Sequence, residues 1–395
     1  MNGKIGTAAA LALAAGLSFA EPVPRDVPPL MRTFAGNEVK TLDDWQARRA
    51  ELKEKFFAEM FGKRPAGVDR PSVLRFEKAE PDREMMDGKA VRKRIRCTYG
   101  GRYGVTNFVF TAFIPKAEKP SPAFLLICNR KPGDNIDPER VKKSEFWPAE
   151  EIVGRGYAAL AFWNGDVTPD MSWDFERGVF GIFQRPEDRD AESWGVLSAW
   201  AWGASRVMDW IETEPTLDAR HVGVVGHSRG GKTALLAGVT DERFAMSCSN
   251  CSGCGGAKLN HIDLPKSEPI NVIYDRLGFW FCGNFAKYKY RETEMDFDQH
   301  MWVALIAPRL VAIASASEDA WAGQVGEFYT AKYASPAWKL YGQERNCQTW
   351  YRNGVHRHGW EDFNALFDFM EADINGTPMP ASMTRIPYDD ECFRA

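Results

Sequence analysis

The stretch from Arg220 to Val239, R-H-V-G-V-V-G-H-S-R-G-G-K-T-A-L-L-A-G-V, sets a serine on a sharp turn between a strand and a helix. Val222, Val224 and Val225 form a short β-branched run of the kind buried in a parallel sheet, and Thr233 to Val239 opens an apolar helix. Between them, Gly226-His227-Ser228-Arg229-Gly230 fits G-x-S-x-G. Glycines flank the serine because the backbone there is strained and the helix packs so close that a Cβ would clash. Such a turn also aims amides of the helix N-terminus at the place where an oxyanion would form. The pentapeptide alone matches many Gly-rich turns by chance. With a strand before it and a helix after it, Ser228 is a candidate nucleophile rather than a plain turn residue.

Outward from this turn, strand and helix patterns alternate. Arg92 to Pro115 reads as two antiparallel strands joined at Gly100-Gly101, and Ala123 to Cys128 and Ala158 to Trp163 read as buried parallel strands. Ser193 to Glu212 reads as a long helix before the serine strand. Arg243 to Ser249, Leu310 to Ser315 and Gln348 to Tyr351 follow as strands, and Trp360 to Glu371 as a closing amphipathic helix. Near the start, Thr41-Leu42-Asp43-Asp44 caps a helix over Lys40 to Gly62, which is expected to pack across the surface. This order predicts a mostly parallel sheet with helices on both faces, a three-layer αβα sandwich. Segments 129–155, 164–192 and 255–305 are insertions over the strand C-terminal ends, where such sheets build their binding crevice.

Residues 1–20 read as a signal peptide. Lys4, an apolar run from Ala8 to Leu17 that is too short to span a bilayer, and Ser18-Phe19-Ala20 before Glu21 predict cleavage after Ala20. The expectation is an exported protein, periplasmic or extracellular, with one catalytic domain over 21–395 and no membrane span in the mature chain. A net charge of −4 and the absence of a basic run point away from nucleic acid and anionic membranes. Fourteen tryptophans are many, and exposed indole faces are common platforms for sugar rings, although most are expected in the core or at its rim. Eight cysteines in an oxidising compartment suggest disulfides whose pairing is not readable. Cys248-x-x-Cys251-x-x-Cys254 resembles a zinc run, but no histidine sits at ligand spacing nearby, and its glycines suggest a loop near the active site.

A serine hydroxyl needs a base within reach and a third group to orient that base. Of six histidines, His221 and His227 surround the turn, His261 and His300 lie in an insertion, and His356 and His358 follow the last strand. The chain order serine, acid, histidine selects His356 or His358, and position alone does not choose between them. A metal pair is the competing reading of this H-x-H, with no third ligand close in sequence. After the strand Leu310 to Ser315, Asp319 is the choice for the carboxylate, with Glu318 as local competitor. Solvated turn charges are the bland alternative for both. Arg229 offers an oxyanion-facing amide and a guanidinium that suits a substrate with negative charge or many oxygens, against a plain salt bridge. Lys232, one helical turn beyond Ser228, can face the same crevice.

Taken together, G-H-S-R-G-G-K-T-A-L, S-G-C-G-G-A, W-F-C-G-N-F, D-Q-H-x-x-x-A-L-I-A-P-R, E-D-A-W and R-N-G-V-H resemble the glucuronoyl esterases of carbohydrate esterase family 15, from about Arg92 to Asp373. The resemblance implies an α/β-hydrolase fold, no metal or cofactor, and hydrolysis of esters between an alcohol, such as a lignin alcohol, and glucuronic or 4-O-methylglucuronic acid on xylan. It implies Ser228 as nucleophile, Arg229 as oxyanion-stabilising side chain, His356 rather than His358 as base, and Lys232, Glu268 and Trp321 as sugar contacts. One departure concerns the acid. Many members carry a glutamate just before the S-G-x-G-G loop, where Cys251 stands here, so the family's other position, after the later strand, is implied and again points to Asp319. His227 replaces the cysteine that often precedes the serine in fungal members. Rival expectations are an acetyl xylan or feruloyl esterase on the same scaffold, or a carbohydrate-binding protein without catalysis. A monomer is expected.

Overall fold

The computed structural model describes residues 24–171, 173, 175–380 and 383. The expected leader, Met1 to Ala20, and Cys392 lie outside them. Among the described residues ten strands form one sheet: β1 (Val73–Lys78), β2 (Arg83–Met85), β3 (Ala90–Gly101), β4 (Gly104–Pro115), β5 (Ser121–Cys128), β6 (Ala158–Trp163), β7 (Leu217–His227), β8 (Met246–Asn250), β9 (Leu310–Ala316) and β10 (Cys347–Arg352). Their order is β1-β3-β4-β6-β5-β7-β8-β9-β10, with β2 paired to β3. From β6 to β10 all neighbours are parallel, and β1 to β4 form an antiparallel flank. The parallel strands read in sequence as nearly unbroken apolar runs because both of their faces are covered.

Alternation along the strands sorts their side chains into two cores. Leu125, Ile127, Val222, Val224, Val311 and Ile313 face one side, packed with the helices Val196–Ile211 and Arg229–Thr240. Phe124, Leu126, Val225, Cys248 and Ala312 face the other, with Ile152 and Val153 from one helix and Phe363, Phe367 and Met370 from the closing helix Trp360–Asn375. The strand that follows β5 in sequence lies on one side of it, and β7 lies on the other. The order therefore reverses between β5 and β7, the place beyond the strand ends where sheets of this kind bind their ligands. Ser228 is the first residue after β7.

Two expectations are corrected. The hairpin turns at Arg102 and Tyr103, because Gly101 still pairs with Gly104. A Cβ on Gly101 would meet the Phe183 ring at 2.5 Å, so this glycine serves close packing and not the turn. The first helix, Leu42–Phe56, carries the Thr41/Asp44 capping box and does pack across the surface: Trp45, Leu52 and Phe56 are fully buried on one face, where buried Arg48 donates to the Leu30 carbonyl at 3.2 Å, and Gln46, Ala47 and Glu54 are exposed on the other. The seven described cysteines are all free of disulfides and buried, and most of them pack as small apolar core residues. Nor are Cys248, Cys251 and Cys254 gathered as one ligand set.

The serine turn itself makes a stability prediction. A Cβ on Gly226 would lie 2.0 Å from the Gly230 carbonyl oxygen, a contact that only backbone movement relieves. Gly226→Ala is expected to cost at least about 2 kcal/mol, as overpacking against an unyielding backbone does, read as a lowered melting temperature beside a Gly342→Ser control. Gly342 has open space around it, so its substitution tests a positive-φ glycine without a clash.

Candidate active site

Ser228 sits half-buried at φ 56°, ψ −124°, a conformation that costs a non-glycine residue about 1–3 kcal/mol. Two things hold it there. Its amide donates to the Asn250 carbonyl at 2.8 Å, and the helix Arg229–Thr240 begins at the next residue. The Ser228 amide is thereby used up, so an oxyanion would have to be met by the amides that follow it at the start of the helix.

Asp319 and His356, 37 residues apart in the chain, meet at 2.6 Å through Oδ2 and Nδ1. Asp319 is 4% exposed, whereas Glu318 is exposed. The carrying loops are laced together. Ser317 N–H donates to the Arg352 carbonyl at 3.0 Å, Glu318 N–H to the Gly354 carbonyl at 2.9 Å, and Gly354 N–H to Ser317 Oγ at 3.0 Å. Buried Arg352 closes the second loop by donating to the carbonyls of Val355, at 2.9 Å, and Arg357. Burial pushes the Asp319 carboxyl up, but hydrogen bonds and charge from His356, the Ala322 amide and the Cys251 thiol outweigh it and hold the group below the usual aspartate value. His356 is the accessible member, its side chain 41% exposed. No hydrogen bond joins Ser228 to His356 in this resting arrangement, as is common before substrate binds.

The two histidines of the H-x-H diverge. His358 is buried between Phe146 and Phe363, 3.5 Å from Asp362, and does not share a site with His356. The ring beside His356 is instead that of His227, at 4.4 Å between centroids. His227 Nδ1 lies 2.6 Å from Asn250 Oδ1, and burial together with His356 and His358 keeps its pKa far below the ordinary histidine value. It is therefore a neutral imidazole, with Nδ1–H donating to Asn250.

Arg229 does form the salt bridge weighed above, Nε to Asp170 Oδ2 at 3.0 Å. Trp280 donates its indole N–H to the other oxygen of Asp170 at 2.7 Å, and the guanidinium lies 5.6 Å from the Trp280 ring. The arginine beside Ser228 is thus clamped from a different insertion and remains a third exposed. Lys232 is buried, and its ammonium donates to the carbonyls of Ser252 and Cys254. One of its three donors remains free. Burial lowers its pKa, and Glu268 is the foremost charge opposing that fall. Glu268 is half-buried, its amide donating to the Trp321 carbonyl at 2.9 Å, so the two are set by one backbone contact. Trp321 is 48% exposed.

Sequence reasoning missed three residues that build this geometry. Asp170 carries no local motif. Glu327 is fully buried and accepts from the amides of Ser252 and Gly253, at 2.7 and 3.0 Å, and from Ser315 Oγ at 2.6 Å, tying the loop after β8 to the end of β9. Arg352 was visible as the first letter of R-N-G-V-H, though not as a clasp.

Fold and site together define an α/β-hydrolase whose sharp serine turn stands at the end of β7. A family model for fungal glucuronyl esterase matches residues 150–342. Carbohydrate esterase MZ0003, from an unknown prokaryotic organism, is 32% identical over 78% of this chain and 76% of its own length. The glucuronoyl esterase from Solibacter usitatus superposes with a TM-score of 0.81 at 31% identity, covering 89% of this chain and 99% of that one. A 4-O-methyl-glucuronoyl methylesterase from Hypocrea jecorina is 34% identical over 83% of this chain, which spans 65% of its length. The chain belongs to the glucuronoyl esterases of carbohydrate esterase family 15.

Proposed function

We propose that the protein hydrolyses esters of glucuronic or 4-O-methylglucuronic acid, such as those joining xylan to lignin alcohols, through an acyl-enzyme and without metal or cofactor. The Asp319–His356 contact at 2.6 Å, its imidazole 4.4 Å from the ring of His227 next to the strained Ser228 in sequence, supports this reading. His356 takes the Ser228 proton through Nε2 as the hydroxyl attacks the C6 carbonyl, while Asp319 holds the proton on Nδ1 and steadies the imidazolium. Charge developing on the carbonyl oxygen is met by amides of the turn and by Arg229, which Asp170 and Trp280 hold in place. His356 then returns the proton to the departing alcohol, and water repeats the sequence on the acyl-enzyme. Lys232, Glu268 and Trp321 are assigned to the sugar, so the acid half of the ester is read closely and the alcohol half loosely. The Met1–Ala20 leader supports export, and no helix among the described residues is long and apolar enough to cross a membrane. The proposed enzyme acts as an exported monomer.

Benzyl glucuronate beside p-nitrophenyl acetate separates this reading from its rivals. The wild type is expected to cleave the glucuronate. Glu268→Gln should lower kcat/KM for it about 10- to 200-fold, a loss of roughly 1–3 kcal/mol for an unpaired hydroxyl partner, and leave the acetate rate near wild type. Cleavage of the acetate alone would move the assignment to a small-acyl carbohydrate esterase, and folded protein that cleaves neither would leave a sugar-binding protein.

A further inference from the structure

Among the described residues, one group of three metal-ligating side chains of different chemistry converges. Cys251 Sγ, a carboxylate oxygen of Asp319 and a ring nitrogen of His356 all lie within 4.8 Å of one another. The thiol is not in a disulfide, and its backbone pins it: Cys251 is held at φ 47°, with its amide donating to the Ala314 carbonyl at 2.7 Å. Cys251 and Asp319 are 1% and 4% exposed, while the His356 side chain is 41% exposed and makes the open side of the cluster. A thiolate, an imidazole and a carboxylate are the donors that zinc and its neighbours prefer, and a water from the open side would complete four-coordination.

We propose that Cys251, Asp319 and His356 form a binding site for a thiophilic divalent cation of the zinc type, and that filling it switches the esterase off. The consequence for catalysis rests on the roles proposed above; the site itself does not. Binding replaces the thiol S–H bond with a metal–sulfur bond and releases that proton to solvent. His356 now carries its proton on Nδ1, toward Asp319. For Nδ1 to bind the ion, that proton leaves and one is taken up at Nε2, so the net change is the single thiol proton. An imidazole protonated at Nε2 has no lone pair there for the Ser228 proton. The metal also occupies the carboxylate that oriented the ring. A member of the family with a second carboxylate in place of Cys251 would offer a harder, oxygen-rich site, so the cysteine is what makes this one thiophilic.

The test uses the whole protein, stripped with a chelator and titrated with cobalt(II) chloride and, separately, zinc chloride. Wild type is expected to develop a sulfur-to-cobalt charge-transfer band that saturates at one ion per chain, and to lose benzyl glucuronate hydrolysis over the same range. In Cys251→Ala and Cys251→Ser the band should vanish, and the zinc concentration halving each variant's own metal-free rate should rise roughly 10- to 100-fold or more, as loss of a metal's supporting groups does. Cys254→Ala, a neighbour in sequence outside the cluster, should keep the band. A band that survives in both Cys251 variants, or no band in wild type at saturating cobalt, overturns the site. Zinc inhibition that is equal in wild type and Cys251→Ser overturns the switch. The band needs no substrate, so a wrong substrate assignment leaves it intact, and the two readings fail separately.

Discussion

Ser228→Ala is expected to abolish glucuronate ester hydrolysis, with kcat falling about 10⁵- to 10⁶-fold as in other serine hydrolases stripped of the nucleophile. The protein should remain folded. The loss is this large because the other members of the site act only on a reaction that the hydroxyl begins; a base without a nucleophile and an oxyanion pocket without an oxyanion contribute little alone. Stability should move the other way or not at all, since the serine is held in a conformation that costs about 1–3 kcal/mol and an alanine pays the same backbone cost without a half-buried hydroxyl to desolvate. Single-turnover hydrolysis, together with labelling by a fluorophosphonate that reacts with wild type and not with the variant, checks both parts. Residual activity above about one part in a thousand would mean that another group attacks the ester.

How much of this was legible in the sequence depends on whether the signal was local. The serine turn was, because G-x-S-x-G between a β-branched run and an apolar helix states its geometry in ten residues, and Gly226 is found 2.0 Å from a clash that any side chain would create. That an acid after β9 would meet a histidine after β10 was readable as well, since strand ends in a parallel sheet converge on one edge, but position left His356 and His358 open and only the family resemblance pointed to His356. Asp170 and Glu327 were not. Each sits in a segment of ordinary loop or helix composition, and each acts through a partner more than 50 residues away, Arg229 for one and Ser252 for the other. The edge strands β1 and β2 were missed for a related reason. They are short and half-exposed, so their alternation is faint, and what defines them is the pairing to β3. The Gly100-Gly101 turn failed because glycine marks close approach as readily as it marks a bend.

The second large effect is expected at Asp319. Asp319→Asn should lower kcat about 10⁴-fold with little change in KM, because an amide that donates to Nδ1 sends the imidazole proton to Nε2 and leaves the base in the wrong tautomer. Glu318→Gln, altering the exposed neighbour, should stay within about twofold, the level of a surface substitution. Protonation of Asp319 itself should add no pH dependence to the wild-type rate between about pH 5 and 8, since the carboxyl is held below its usual value near 4 and is already ionised throughout that window. Replacing Cys251 tests the placement from the other side. Cys251→Glu alone sets a second carboxylate within a few ångströms of the first, in a spot where the thiol is 1% exposed, so like-charge repulsion and burial should raise one carboxyl pKa and slow the enzyme. In the Asp319→Asn background the repulsion is gone, and the new carboxylate stands within reach of His356, at the place where the family resemblance implies an acid. Cys251→Glu should then recover part of the lost kcat. Two single losses that partly cancel when combined would show that the site asks for one carboxylate on the Nδ1 side of His356 and is indifferent to which strand supplies it; additive losses would show that the end of β9 alone can hold it.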